Sequence, residues 1–133
     1  MRVVIDTNVI VSGLLSPYGA PGQIARMLVS GELEICYDAR VIGEYRDVLS
    51  RPKFSFERTY ARQFIEYIEH FGIPVSAKPL PMRLRDPYDE PFLEVAISGS
   101  AESLITGNIA HYPLKGKQLV RILTPRQFLN RYY

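Results

Sequence analysis

Apolar and polar positions fall into blocks along this chain, and the blocks read in turn as strands and helices. Arg2 to Ile5 is a continuous β-branched run, the pattern of a strand buried on both faces. Pro17 to Gly22 is a loop rich in Pro and Gly. Pro21 then suits the first position of a helix to about Ser30, with Ile24, Ala25, Leu28 and Val29 as its apolar stripe and Gly31 as its stop. Leu33 to Tyr37 reads as a second strand. Asp38 caps a helix that carries Val41, Ile42, Tyr45, Val48 and Leu49 at helical spacing and ends at Arg51-Pro52. Another helix begins around Ser55 to Arg58, turns Phe64, Ile65, Tyr67, Ile68 and Phe71 to the core, and closes at Gly72. Residues 7–15 receive no element from this pattern.

The second half continues the alternation. Ile73 to Val75 is a short strand, and Ala77 to Tyr88 is a proline-containing loop. Phe92, Leu93, Val95, Ala96 and Ile97 mark a helix that stops at Gly99. Ser103 to Ile105 and Leu119 to Leu123 read as strands, and Thr124-Pro125 opens a last helix with Phe128, Leu129 and Tyr132. Strands that alternate with helices predict one α/β domain over residues 1–133: a mainly parallel sheet of about five strands with helices on both faces. Two helices in direct succession, before and after Arg51-Pro52, predict a helical hairpin beside the sheet.

Composition narrows the function classes. With 47% hydrophobic residues in 133, the chain has material for a sizeable core. The net charge of +2 weakly favours a polyanionic partner, and Arg121, Arg126 and Arg131 in the tail come nearest to a basic face. A single cysteine, Cys36, excludes a disulfide framework and a cysteine-rich zinc site; inside an apolar run it reads as a buried structural thiol. No apolar run reaches the ~18 residues of a membrane helix, and the expected location is the cytoplasm.

The chemistry concentrates in acids placed where strands end and helices begin. Asp6 follows the first strand, at the C-terminal lip where parallel α/β sheets carry their ligands. Glu44 lies one turn from Val41 and from Val48, on the inward side of its helix, where an unpaired carboxylate is costly. Asp86, Asp89 and Glu90 crowd the start of the next core helix, more acids than one helix end requires. Packed together, such groups repel one another, and a hard divalent cation, Mg²⁺ or Mn²⁺, relieves the repulsion. Thr7, Asn8, Ser12, Thr106 and Asn108 add hydrogen-bonding groups nearby. His70 and His111 read as isolated surface or loop residues. Carboxylates that hold a metal at a sheet rim suit phosphate-ester hydrolysis, where the ion neutralises phosphate charge and activates a water.

Four segments together resemble the motifs of PIN-domain nucleases: Ile5-Asp6-Thr7-Asn8-Val9, the isolated Glu44, Asp86-Pro87-Tyr88-Asp89-Glu90-Pro91-Phe92-Leu93-Glu94, and Leu104-Ile105-Thr106-Gly107-Asn108. Their order and spacing fit across nearly the whole chain, and the nearest group is the toxin-like, VapC-like branch of toxin–antitoxin systems. The resemblance implies a PIN-like three-layer α/β/α fold and a Mg²⁺- or Mn²⁺-dependent endoribonuclease. It implies that Asp6, Glu44 and an acid of the third block, Asp89 or else Glu90, bind the metal, with Asp86 close behind. It further implies a homodimer and a small antitoxin partner. Where the family often has Asp at its fourth site, this chain has Asn108, which brings no charge. Two alternatives stand beside the nuclease: a catalytically silent RNA-binding module of the same fold, and a phosphohydrolase with an Asp nucleophile. The latter class typically needs a second acid two residues after the first, where this chain has Asn8.

Overall fold

The computed structural model describes residues 1–113 and 119–133. Five strands form one sheet, β1 (Arg2–Ile5), β2 (Glu34–Tyr37), β3 (Ile73–Pro74), β4 (Ser103–Ile105) and β5 (Arg121–Leu123), in the order β3-β2-β1-β4-β5. Every pairing is parallel. Six helices lie among the described residues: α1 (Thr7–Leu15), α2 (Ala20–Val29), α3 (Ala39–Leu49), α4 (Arg58–Phe71), α5 (Glu90–Ser98) and α6 (Pro125–Tyr132). Val3, Val4 and Ile5 are consecutive and all fully buried, so the central strand is covered on both faces. Helix α5 packs across β2, β1 and β4, and α6 against β4 and β5. No helix among the described residues is long and apolar enough to cross a membrane.

Several local rules operate as the sequence predicts. The Asp38 carboxylate accepts from the N–H groups of Arg40 and Val41 at the start of α3. Thr124 and Gln127 form a reciprocal capping box ahead of α6, with Pro125 in its first turn. Cys36 is buried within the sheet's second strand. Helices α3 and α4 pack as the expected hairpin, joined by a short 3₁₀ turn at Pro52–Phe54.

Other features depart from the pattern. Helix α1 occupies residues to which the sequence pattern gives no element; Val9, Ile10 and Val11 are each buried, while Asn8 and Ser12 face outward. Its Gly13 lets α2 approach, since a Cβ there would stand 2.7 Å from the Pro21 carbonyl oxygen. Phe71 is no core residue; it lies 62% exposed at the end of α4, stacked against Tyr67 and His70. Val29 faces solvent too, and Met27 takes the buried place in α2. Strand β2 begins at Glu34 and β5 at Arg121, a little later than the apolar runs suggest.

Candidate active site

The strand order reverses at the centre of the sheet. From β1 the chain moves outward through β2 and β3, then returns to place β4 on the other side of β1. Such a switch point opens a crevice at the C-terminal strand ends. Ile5 and Ile105 are register partners, so the next residues, Asp6 and Thr106, emerge side by side into that crevice.

Asp6 has two structural duties there. Its Oδ1 accepts from the Thr7 N–H at 2.9 Å and so caps α1; its Oδ2 accepts from the Thr106 hydroxyl at 2.7 Å. The Thr106 oxygen in turn accepts from the Asn108 N–H at 3.0 Å. Asn108 is exposed and Thr106 fully buried, so a backbone-anchored relay fixes the Asp6 carboxylate from behind. Burial pushes the Asp6 carboxyl above its ordinary range, and the donations from Thr106 and Thr7 oppose that push.

Two further acids reach the same crevice. Glu44 comes from the second turn of α3 and is half-buried. Its carboxyl is raised by burial first, then by the negative charge of Asp6, with a smaller contribution from Asp89. Asp89 lies at the start of α5 but makes no cap hydrogen bond with its side chain, which leaves that carboxylate to the crevice. Burial, then Asp6, then Asp86 raise it. Asp6 holds two donors that favour its ionised form, and its charge raises both Glu44 and Asp89. The structure thus brings Asp6, Glu44 and Asp89 together from three elements. Among the described residues no Lys or Arg forms an ion pair with any of them.

The neighbouring acids separate. Asp86 caps the 3₁₀ turn Pro87–Asp89 through the Tyr88 N–H and stays near Asp89. Glu90 turns away: its Oε2 accepts from the Leu84 N–H at 2.9 Å, and its Oε1 lies 3.8 Å from Arg83. Between the two adjacent candidates, the geometry places Asp89 in the crevice and Glu90 outside it. Thr7 is buried, and its hydroxyl has no hydrogen-bond partner. Asn8 and Ser12 are exposed on α1 and line a cavity of about 420 Å³ with Gly107, Thr124 and Arg126.

Three residues join the site without a signal in the sequence. Tyr45 is fully buried, and its hydroxyl donates to the Ile5 carbonyl, which ties α3 to the end of β1 beside Glu44. His111 is not isolated; its Nδ1 lies 3.2 Å from Asp89 Oδ2. His70, by contrast, stays on the surface of α4. The Tyr112 hydroxyl is buried against Asp6; burial first, then the charges of Asp6 and Asp89, hold it protonated. His111 ends a short 3₁₀ turn after β4 and Tyr112 follows it directly, where periodicity carries no information about direction.

A hard divalent cation fits this donor set. The converging groups are oxygens, their charges are mutually unfavourable, no Lys or Arg pairs with them among the described residues, and the buried Thr7 hydroxyl has no partner.

The PIN domain family model matches residues 2–110, and the chain belongs to that family. PIN domains are nucleases, and their members generally use divalent metals. Among solved structures, the chain is similar in fold to one in the crystal structure of VapBC2 from Rickettsia felis bound to a DNA fragment from their promoter. The TM-score is 0.54 at 15% identity, over 92% of this chain and 97% of that one. No curated protein matches the sequence.

Proposed function

We propose that this chain is a divalent-metal-dependent endoribonuclease that hydrolyses RNA phosphodiester bonds, with Mg²⁺ or Mn²⁺ held by Asp6, Glu44 and Asp89. The observation that carries the reading is the convergence of those three carboxylates at the switch point with no Lys or Arg paired to them among the described residues. When bound, the ion supplies electrostatic stabilisation of the phosphate and of a nucleophilic water. The chain's own residues do the rest. Thr106 and Thr7 hold Asp6 in one orientation, Tyr45 locks the end of β1 against α3, and Asp86 presses on Asp89 from behind. The cavity lined by Asn8, Ser12 and Arg126 offers hydrogen bonds and one positive charge to the RNA backbone beside the acids.

Family membership and the toxin–antitoxin neighbour support a further step: this nuclease is the toxin of a toxin–antitoxin pair, acts in the cytoplasm and is silenced by a small antitoxin. We propose that it pairs as a homodimer as well. The silent RNA-binding reading keeps one specific observation in its favour, the uncharged and exposed Asn108 at the family's fourth position. Incubation with a mixed RNA pool, with and without Mg²⁺ or Mn²⁺, decides between the two. Cleavage that needs the metal and disappears in Glu44→Gln is the expected result. RNA binding that survives chelation, with no cleavage under either ion, overturns the nuclease.

A further inference from the structure

Helix α5 carries three polar side chains that the three-acid site leaves unused. Glu90, Glu94 and Ser98 stand four residues apart, one above another on a single stripe. Each accepts a backbone N–H from the proline-containing segment before the site, at 2.9 Å in every case: Ser98 Oγ from Lys78, Glu94 Oε2 from Leu80 and Glu90 Oε2 from Leu84. The segment therefore runs antiparallel to α5 as a strap, and Asp86 follows Leu84 by two residues. Pro79 and Pro81 have no N–H, and the donors at Lys78 and Leu80 alternate with them. Glu94 does more than hold the strap. It is buried, and its Oε1 accepts from Arg40 Nη1 at 2.6 Å. Arg40 donates through Nε and Nη2 to Asp38 Oδ2, and Asp38 Oδ1 caps α3. One carboxylate thus joins the first turn of α3, the middle of α5 and the strap. On α3 the tie is one turn from Glu44; on α5 it is roughly 7 Å from Asp89 along the axis, at about 1.5 Å per residue.

We infer that Glu94, acting through Arg40 and the Leu80 N–H, is a positioning residue for the three-acid site: it fixes the spacing between the helix that carries Glu44 and the one that starts at Asp89. The inference rests on the proposal that Glu44 and Asp89 hold the metal. The negative charges of those two acids repel, which pushes the helices apart at that end, and the Arg40–Glu94 pair opposes the push. A second effect acts in the same direction. Arg40 precedes Glu44 by four residues, the spacing at which a cation and a carboxylate on one helix pair. Glu94 and Asp38 hold the guanidinium instead, and Glu44 keeps its charge for the ion.

The test is Mn²⁺ titration of the metal-free protein, read by the electron paramagnetic resonance of free Mn²⁺, beside thermal unfolding in chelator. Glu94→Gln keeps an oxygen for the Leu80 N–H and loses the charge that holds Arg40. The expected result is a Mn²⁺ affinity weaker by about tenfold, with kcat for RNA lowered and KM unchanged. Arg40→Gln gives the same loss, and the double variant loses no more than either single one. Arg40→Lys, which keeps the charge, retains most of the affinity. Ser98→Ala, which frees the far end of the strap, binds Mn²⁺ as the wild type does. Arg40 is half-exposed, so Arg40→Gln carries the test if circular dichroism shows Glu94→Gln unfolded. Variants that melt lower but bind Mn²⁺ within about twofold of wild type make the tie purely structural; that overturns the inference and leaves the three-acid site standing. An equal loss in Ser98→Ala overturns it too, because the effect is then a general loosening. A wild-type protein that binds no Mn²⁺ overturns the metal site and the inference with it.

Discussion

Thr106→Val isolates the hydrogen bond on which the site's geometry rests. Valine keeps the shape of the side chain at a fully buried position, so no cavity opens. Two interactions disappear: the donation to Asp6 Oδ2 at 2.7 Å and the acceptance from the Asn108 N–H at 3.0 Å. The first is charge-assisted and contributes about 1.5–3 kcal/mol, and the second about 1 kcal/mol. The sum is on the order of 3 kcal/mol. With an unfolding entropy of about 2.1 cal/mol/K per residue, a chain of this length loses ~10 °C in Tm. Thermal unfolding by circular dichroism at pH 7 in chelator reads the loss directly. The donation from Thr106 favours ionised Asp6, so the gap between wild type and variant is full at neutral pH. It narrows as pH falls through the Asp6 range, where a protonated carboxyl accepts more weakly. Thr106→Ser keeps the hydroxyl, loses one methyl and falls less far than Thr106→Val. A Thr106→Val protein within about 2 °C of wild type, or a serine variant less stable than the valine one, refutes the reasoning.

In chelator, Glu44→Gln is more stable than wild type near pH 8, because burial and the Asp6 charge raise the Glu44 carboxyl. The stability tied to its protonated form is complete below the ordinary carboxylate range and lost as pH rises through the raised value, so the advantage vanishes by about pH 4. Paired urea midpoints across that range check it, and an advantage that grows toward acid contradicts it. Tyr45→Phe removes the buried donation to the Ile5 carbonyl and costs about 1 kcal/mol, with a drop in cleavage rate because α3 no longer holds Glu44 against β1; urea unfolding and an RNA-cleavage assay measure the two effects. Gly22→Ala places a Cβ 2.3 Å from the Pro17 carbonyl oxygen, forces the loop before α2 outward and costs about 2 kcal/mol or more, visible as a lowered Tm.

The sheet was legible because its strands are short, mostly apolar runs bounded by caps and turns, and because alternation with helices leaves few topologies. Helix α1 was not. Its residues Val9, Ile10 and Val11 are β-branched and consecutive, a strand-like signal, and the exposed side of the helix offers only the polar Asn8 and Ser12 to set a period. Glu44 was legible from its place on an apolar stripe. The choice between Asp89 and Glu90 was not, since adjacent residues differ by about 100° around a helix and the Leu84 N–H, in the loop just before the acidic block, holds Glu90 away. His111 and Tyr112 owe their roles to the direction of a single 3₁₀ turn. The Tyr45 tie to Ile5 spans 40 positions, and composition is blind to contacts of that kind.

The hydrogen bond between Asp6 and Thr106 joins residues 100 positions apart, and the strands behind them are immediate neighbours in the sheet. A ribosome makes β1 early and its partner β4 late, with β5 and α6 after that. Through most of synthesis the nascent polypeptide has one edge of its central strand open and no pocket. Under the proposed nuclease function, the chain has no assembled site while still tethered to its own message, and the site forms only when the middle of the sheet zips shut.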